Sequence, residues 1–328
     1  MMMEDEFRKR LKERGLDAET IDFNVVAVAE LEEYLCKRKT TLNAASLEML
    51  KGYVSSLIET GENSLERLLA IARYSSFARK NDFLVYLVSL FGARNVLPDI
   101  GERLATIAGK ETRDRVFESF ELPPLGSPQE AYPRLTSTIM DRMEAELSSR
   151  TCRRVLTWNY HNVPIEKFRD NKKRFDKAVS IDSYLSDEHG RFVEELESYM
   201  KEGRIWYEQE ITPEVLEFVK KNQEICTGVR NDERIYVTKI PFAPKQYLAE
   251  KDPVMKRYYA CHCQLARTAI RDGKPRIPRN FCYCSAGFEK LHFDAIFGQP
   301  ADAEVLESAL DGKERCRFAI KIPKGKMK

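Results

Sequence analysis

Two short clasps, Cys261-His262-Cys263 and Cys282-Tyr283-Cys284, hold four of the chain's eight cysteines, with 18 residues between them. A fifth, Cys316, opens the last strand-like segment. Five of the eight cysteines and two of the four histidines thus fall in the final 68 of 328 residues, a density that core filling alone rarely produces. Thiolates bind soft metals, zinc and iron–sulfur clusters above all. A thiolate is also a nucleophile where a cation, a helix N-terminus or a histidine lowers its pKa. One reading is therefore a metal held by Cys261, Cys263, Cys282, Cys284 and Cys316, zinc first and an iron–sulfur cluster second. Another is a reactive thiol without metal. The plainest is a set of small apolar side chains packed in a core.

The reactive-thiol reading takes Cys284 as nucleophile, just before an expected helix start where backbone N–H groups favour an anion. His262 would be its base or a metal ligand, and Arg267, four residues past Cys263, its cation. His292 could play the same part, although its position suits a half-buried residue on a helix. On the approach to the clasps lie Lys239 and Lys245, and Arg257-Tyr258-Tyr259 abuts the first. Arg257, Lys239 and Lys245 with Tyr259 suit a small carboxylate or other anionic ligand. Each could equally be part of a solvated basic surface.

Spacing constrains the metal reading. On a helix, residues i and i+2 face nearly opposite directions, so both thiols of one clasp reach a common ion only on an extended or turning backbone. Zinc knuckles also more often space their cysteines by two residues than by one. The second clasp follows Pro278, and Ser285 can cap a helix over 286–297. The first clasp sits within a pattern that reads as continuous helix over 256–270, which is where the metal reading strains.

The elements that must position these residues have a legible order. Residues 1–120 read as helices: Asp17, Asn43 and Ser64 are candidate caps, Asn81-Asp82 begins another helix, and Gly61 and Gly92 are stops. The spacing from Phe7 to Leu11, followed by short helices, resembles the helical DNA-gripping domain of tyrosine recombinases. The recombinase pattern of arginines and a tyrosine does not follow downstream, and supporting or dimerising helices are the expectation, a homodimer included. Residues 121–128 carry three prolines and a glycine and read as a linker. Beyond it, 155–160 reads as a strand, 182–201 as an amphipathic helix, and Thr212-Pro213 as a cap and first-turn pair. Residues 235–240 alternate like a strand. Residues 303–310 and 316–322 read as antiparallel strands around Asp311-Gly312, with Cys316, Phe318, Ile320 and Ile322 on one face. The fold class is thus α+β, with a helical domain over 1–122 and a Cys-rich domain over 129–328.

A hydrophobic fraction of 43% supports real cores, and a net charge of +2 gives no reason to expect a nucleic-acid partner. No apolar run approaches the ~20 residues of a membrane span, and residues 1–10 lack the apolar core of a secretory signal. A cytoplasmic location with reduced thiols follows as the expectation.

The stretch Cys282-Tyr283-Cys284-Ser285-Ala286-Gly287-Phe288, the helix after it, Phe297-Gly298 and the segment from Glu307 to Phe318 together resemble the ending of 4-vinyl-reductase-like domains. The same ending is similar to that of the 2-amino-thiazoline-4-carboxylate hydrolase family. The matching positions are Cys282, Gly287, Glu307, Gly312, Cys316 and Phe318. A cysteine usual a few residues after the strand glutamate has no counterpart, since Ser308, Ala309 and Leu310 follow Glu307. Lys256-Arg257-Tyr258-Tyr259-Ala260-Cys261-His262-Cys263 makes the chain similar to a prokaryotic group related to both. The resemblance implies helices packed on a small antiparallel sheet. It also implies one of two roles: a small-molecule-binding or sensor module linked to tetrapyrrole or aromatic metabolism, or a hydrolase that opens a C–S or C–N bonded heterocycle. A structural helical adaptor with buried thiols is the remaining alternative.

Overall fold

The computed structural model of the protein describes residues 3–91 and 94–326. The chain forms two compact units, Met1–Arg94 with Glu121–Ala131, and Asn95–Phe120 with Tyr132–Lys328. The division therefore does not follow the expected one at 122/129. Residues 95–120 belong with the C-terminal residues, and the proline-rich segment is part of the first unit.

The first unit contains α1 (Glu4–Glu13), α2 (Ala18–Cys36), α3 (Leu47–Thr60), α4 (Leu65–Phe77) and α5 (Asn81–Phe91). Asp17 and Ser64 accept from the backbone N–H of Thr20 and Arg67 and so cap α2 and α4 as expected. Ser46, not Asn43, caps α3, and Gly61 ends that helix in the left-handed region at φ 73°. The expected stop at Gly92 lies outside the described residues. Phe7, Val28, Leu31, Leu50, Val54, Leu68 and Phe83 share one core with Leu125. The carbonyl of Leu125 also accepts from Asn63 Nδ2 at 2.7 Å, so the expected linker is packed rather than free.

The second unit begins with α6 (Val96–Ala108) and α7 (Lys110–Val116), then α8 (Pro133–Glu146), α9 (Ser149–Leu156), α10 (Arg169–Lys177) and α11 (Ile181–Glu202). A two-stranded hairpin, β1 (Ile205–Trp206) and β2 (Gln209–Glu210), precedes α12 (Pro213–Lys220). After β3 (Val229–Asn231) and β4 (Arg234–Thr238) come α13 (Pro244–Ala249), α14 (Pro253–Ala260), α15 (Arg267–Asp272), α16 (Tyr283–Glu289) and α17 (Leu291–Phe297). The chain closes on β5 (Ala303–Glu307) and β6 (Arg317–Lys321). The fold is α+β, as the sequence implies.

The main sheet has the antiparallel order β3-β4-β6-β5. Its register pairs Ile235 with Ile320 and Val237 with Phe318, and Val305 also faces Phe318. Side chains alternate across a strand, so these residues line one face. Phe175, Tyr184, Leu185, Phe293 and Phe297 from α10, α11 and α17 cover it. The strand expected at 155–160 is instead the end of α9 and a turn. Its Val155, Leu156 and Tyr160 are buried, which explains the strand-like apolar pattern.

By length and composition alone, Asn81–Ala108, with a mean hydropathy of 1.3, is apolar enough for a membrane span, contrary to the expectation. Its apolar residues have other employment: Phe83, Leu87 and Leu90 sit in the core of the first unit, and Leu97, Ile100 and Leu104 are buried in the second.

Candidate functional site

The first clasp lies off the helix. α14 ends at Ala260, Cys261 adopts extended backbone (φ −80°, ψ 120°), and α15 does not begin until Arg267. The continuous helix expected over 256–270 is thus broken at the cysteines themselves. Its cause is tertiary: His262 Nε2 lies 2.6 Å from the carbonyl oxygen of Ile240 and ties the loop to the end of β4. The carbonyl of Cys263 then accepts from the N–H groups of Ala266 and Arg267 at 3.1 and 2.8 Å, starting the next helix. On this backbone the opposition between positions i and i+2 no longer applies.

The second clasp straddles a tight turn and a helix start. Cys282 ends a short 3-10 turn, Arg279–Cys282, and Cys284 sits in the first turn of α16. The expected helix over 286–297 starts earlier, at Tyr283, and is interrupted at Lys290, so Ser285 lies inside the helix and does not cap it. Arg279 Nη2 donates to the carbonyls of Val305 and Leu306 at 2.6 and 2.9 Å, fastening the turn to β5. Cys282 Sγ lies 2.8 Å from the hydroxyl of the buried Ser308.

These supports draw five thiols into one interior. Cys261, Cys263 and Cys316 pack with Ile270 and Ala309. Cys261, Cys284 and Cys282 lie near enough to Cys263 to disfavour its ionisation further, and Cys316, Cys261 and Cys284 do the same to Cys282. Burial is the largest effect on each, and every one of the five thiols is pushed upward. Cys261 and Cys284 rise to about 12. Among the described residues no three His, Cys, Asp or Glu side chains stand as the ligands of one ion would.

The cations at the site have different partners. The backbone N–H of Lys239 donates to the Cys316 carbonyl at 3.0 Å, extending the β4–β6 pairing by one residue. Its ammonium lies 3.3 Å from Glu289, both side chains being nearly buried. Cys226, which the sequence did not single out, senses both members of this pair, and burial raises its thiol to about 12. Arg267 is 6% exposed and stacks between Phe242 and Tyr258. Burial, with Lys239 nearby, depresses the His262 imidazole to about 3, so it is neutral and engaged with a backbone carbonyl.

The remaining expected residues are distributed as follows. Lys245 forms an exposed ion pair with Glu210 at 3.0 Å. Arg257 Nε donates to the Pro253 carbonyl at 3.3 Å, and the residue lines a surface cleft of about 270 Å³ with Arg276 and Arg279. Tyr259 packs edge-on against Tyr258, and its carbonyl accepts from Ala243 at 3.0 Å. His292 is 2.6 Å from the Tyr184 hydroxyl, a contact between α17 and α11. Sequence reasoning missed Glu289 and Cys226, whereas Trp206-Tyr207-Glu208 reads as a segment that lines a pocket or packs in the core. Only the one-turn offset of Glu289 from Ser285 could have pointed to it. Comparison with family models, curated proteins and solved structures gives no match to this chain.

Proposed function

We propose that this chain is a cytoplasmic small-molecule-binding or sensor-type protein whose C-terminal unit holds a soft metal ion, zinc first, on its gathered thiols. The observation that carries the reading is the meeting of Cys261, Cys263, Cys282, Cys284 and Cys316 from separate segments in one interior. Thiolate is the donor that zinc and iron–sulfur clusters favour, so the donor set fits chemically. A divalent ion would reverse the local electrostatics: thiols that burial holds protonated would release their protons to water and bind as thiolates. Binding then requires those side chains to turn onto a common centre.

The same electrostatics weigh against a cysteine nucleophile. Cys284 has Lys239 as its one favourable charge and stays near 12, and His262 faces a carbonyl rather than a thiol. A hydrolase using this thiolate lacks the depressed pKa it needs. Metal content of anaerobically purified, reduced protein tests the proposal. Close to one ion per chain is expected, falling sharply in Cys282→Ser and Cys263→Ser. Less than about a tenth of an ion per chain, with no gain in thermal stability on adding zinc, would remove the metal from the proposal.

A further inference from the structure

Arg267 is a buried guanidinium with two donors that lack a partner among the described residues. Its carbon lies 4.0 Å from the centre of the Phe242 ring and 4.4 Å from that of Tyr258. Two ring faces attract the cation, yet the N–H groups point within the guanidinium plane. There, Nε and Nη1 are buried without a hydrogen-bond partner among the described residues, as is the neighbouring Thr268 Oγ1. A buried charge normally has a paired or hydrogen-bonded opposite, and a buried donor left open is rare.

The acid that senses Arg267 does not fill the role. Glu208 lies in the turn between β1 and β2, and Gln264 Nε2 reaches its Oε1 at 3.5 Å. Burial raises the Glu208 carboxyl to about 7, against the pull of Arg267. It is thus only partly ionised at neutral pH. Glu208, Tyr258, His262 and Gln264 are half-buried, so solvent reaches the rim of the site.

We propose that Arg267 is the receptor for a small oxyanion, a carboxylate or a phosphate, which passes Glu208 and Gln264 and accepts from the in-plane donors of the guanidinium. A planar guanidinium directs its donors along fixed in-plane directions toward such oxygens, which an ammonium does not. The inference rests on the vacant donors and stands whether or not the thiols carry a metal.

The test is calorimetric titration of metal-free, reduced full-length protein with sodium acetate and, separately, sodium phosphate, at constant ionic strength set by chloride. One-site saturation by acetate identifies a carboxylate site, and by phosphate a phosphate site. Arg267→Met is expected to abolish that binding, and Arg267→Lys to weaken it at least about tenfold. If Arg267→Met does not fold, Glu208→Gln decides with the wild type: without the competing acid it should bind the same anion at least as tightly at pH 8. Absence of saturable binding of both anions by the wild type overturns the proposal. Undiminished binding by a folded Arg267→Met does so too, as does a loss of zinc affinity in that variant with no anion binding by the parent.

Discussion

Gly287 is where α16 meets the chain after α9. A Cβ added there would collide with the backbone nitrogen and oxygen of Trp158, neither of which can step aside as a flexible side chain could. This is a close-approach glycine rather than a turn glycine, and it lies one helical turn beyond Cys284. Gly287→Ala is expected to destabilise the protein by about 3 kcal/mol or more, overpacking against backbone being at the upper end of such effects. A thermal melt of wild type and variant checks it; equal midpoints would mean that α16 does not sit against Trp158. The Lys239–Glu289 pair gives a second prediction at this scale. Glu289→Gln leaves a nearly buried ammonium unpaired and should cost about 3–5 kcal/mol, whereas the double change to Met at both positions should recover most of it. Denaturant unfolding of the two variants measures the difference. The clasps made the cysteine cluster legible from spacing alone. Lys239 was legible as a cation but not as half of an ion pair, because Glu289 is an ordinary helix residue until the fold brings β4 across it.

At the scale of elements, the sequence reads best where local chemistry decides. Thr212 and Pro213 start α12 as a cap and first-turn proline should, and β4, β5 and β6 form at the expected strand segments, although β5 ends at Glu307 rather than at residue 310. It reads worst where a distant partner decides. Nothing between Lys256 and Ile270 forbids a helix, and the break at Cys261 follows from the bond between His262 and the end of β4. Propensity is a weak prior that such a contact overrides. His292 ties α17 to α11 in a comparable way through Tyr184. Burial depresses both imidazoles, to about 3 for His262 and about 4 for His292, against an ordinary 6.5. Both folded values lie below the unfolded one, so their stability contribution is complete above pH 6.5 and is lost as pH falls toward the folded values. Near pH 5 the unfolded chain binds two more protons at these residues, a slope of about 2.7 kcal/mol per pH unit. Glu208 acts in the opposite sense: its folded carboxyl is raised, so its contribution is present below the unfolded 4.5 and lost as pH rises through about 7. In a Glu208→Gln background, unfolding free energy measured between pH 6 and 4.5 should fall with pH, and His292→Gln should remove about half of the two-histidine slope. An unchanged slope would mean that His292 is not buried neutral against Tyr184.

For the whole molecule, composition suggested a division at the prolines, because linkers are usually where prolines and glycines collect. Contacts override that signal. Leu97, Ile100 and Leu104 of α6 are buried within the second unit, and Arg103 Nε donates to the Val155 carbonyl at 3.2 Å while its guanidinium stacks 3.7 Å over Trp158. The turn that receives Arg103 is the one that receives Gly287, so α6 braces the backbone on which α16 and Cys284 rest. A fragment of residues 129–328, cut where the composition invites, leaves the apolar partners of α6 and α7 open to water. A fragment of residues 95–328 keeps them covered, with only the segment 121–131 parted from its own unit. The longer fragment is expected to unfold in one cooperative transition and to protect its clustered thiols from iodoacetamide until it unfolds. The shorter one should bind a hydrophobic dye in native buffer and alkylate at all its cysteines at similar rates. If the shorter fragment melts as sharply as the longer and shields its thiols equally well, α6 and α7 are accessory, and the bracing of the cysteine interior from residues 95–120 is wrong.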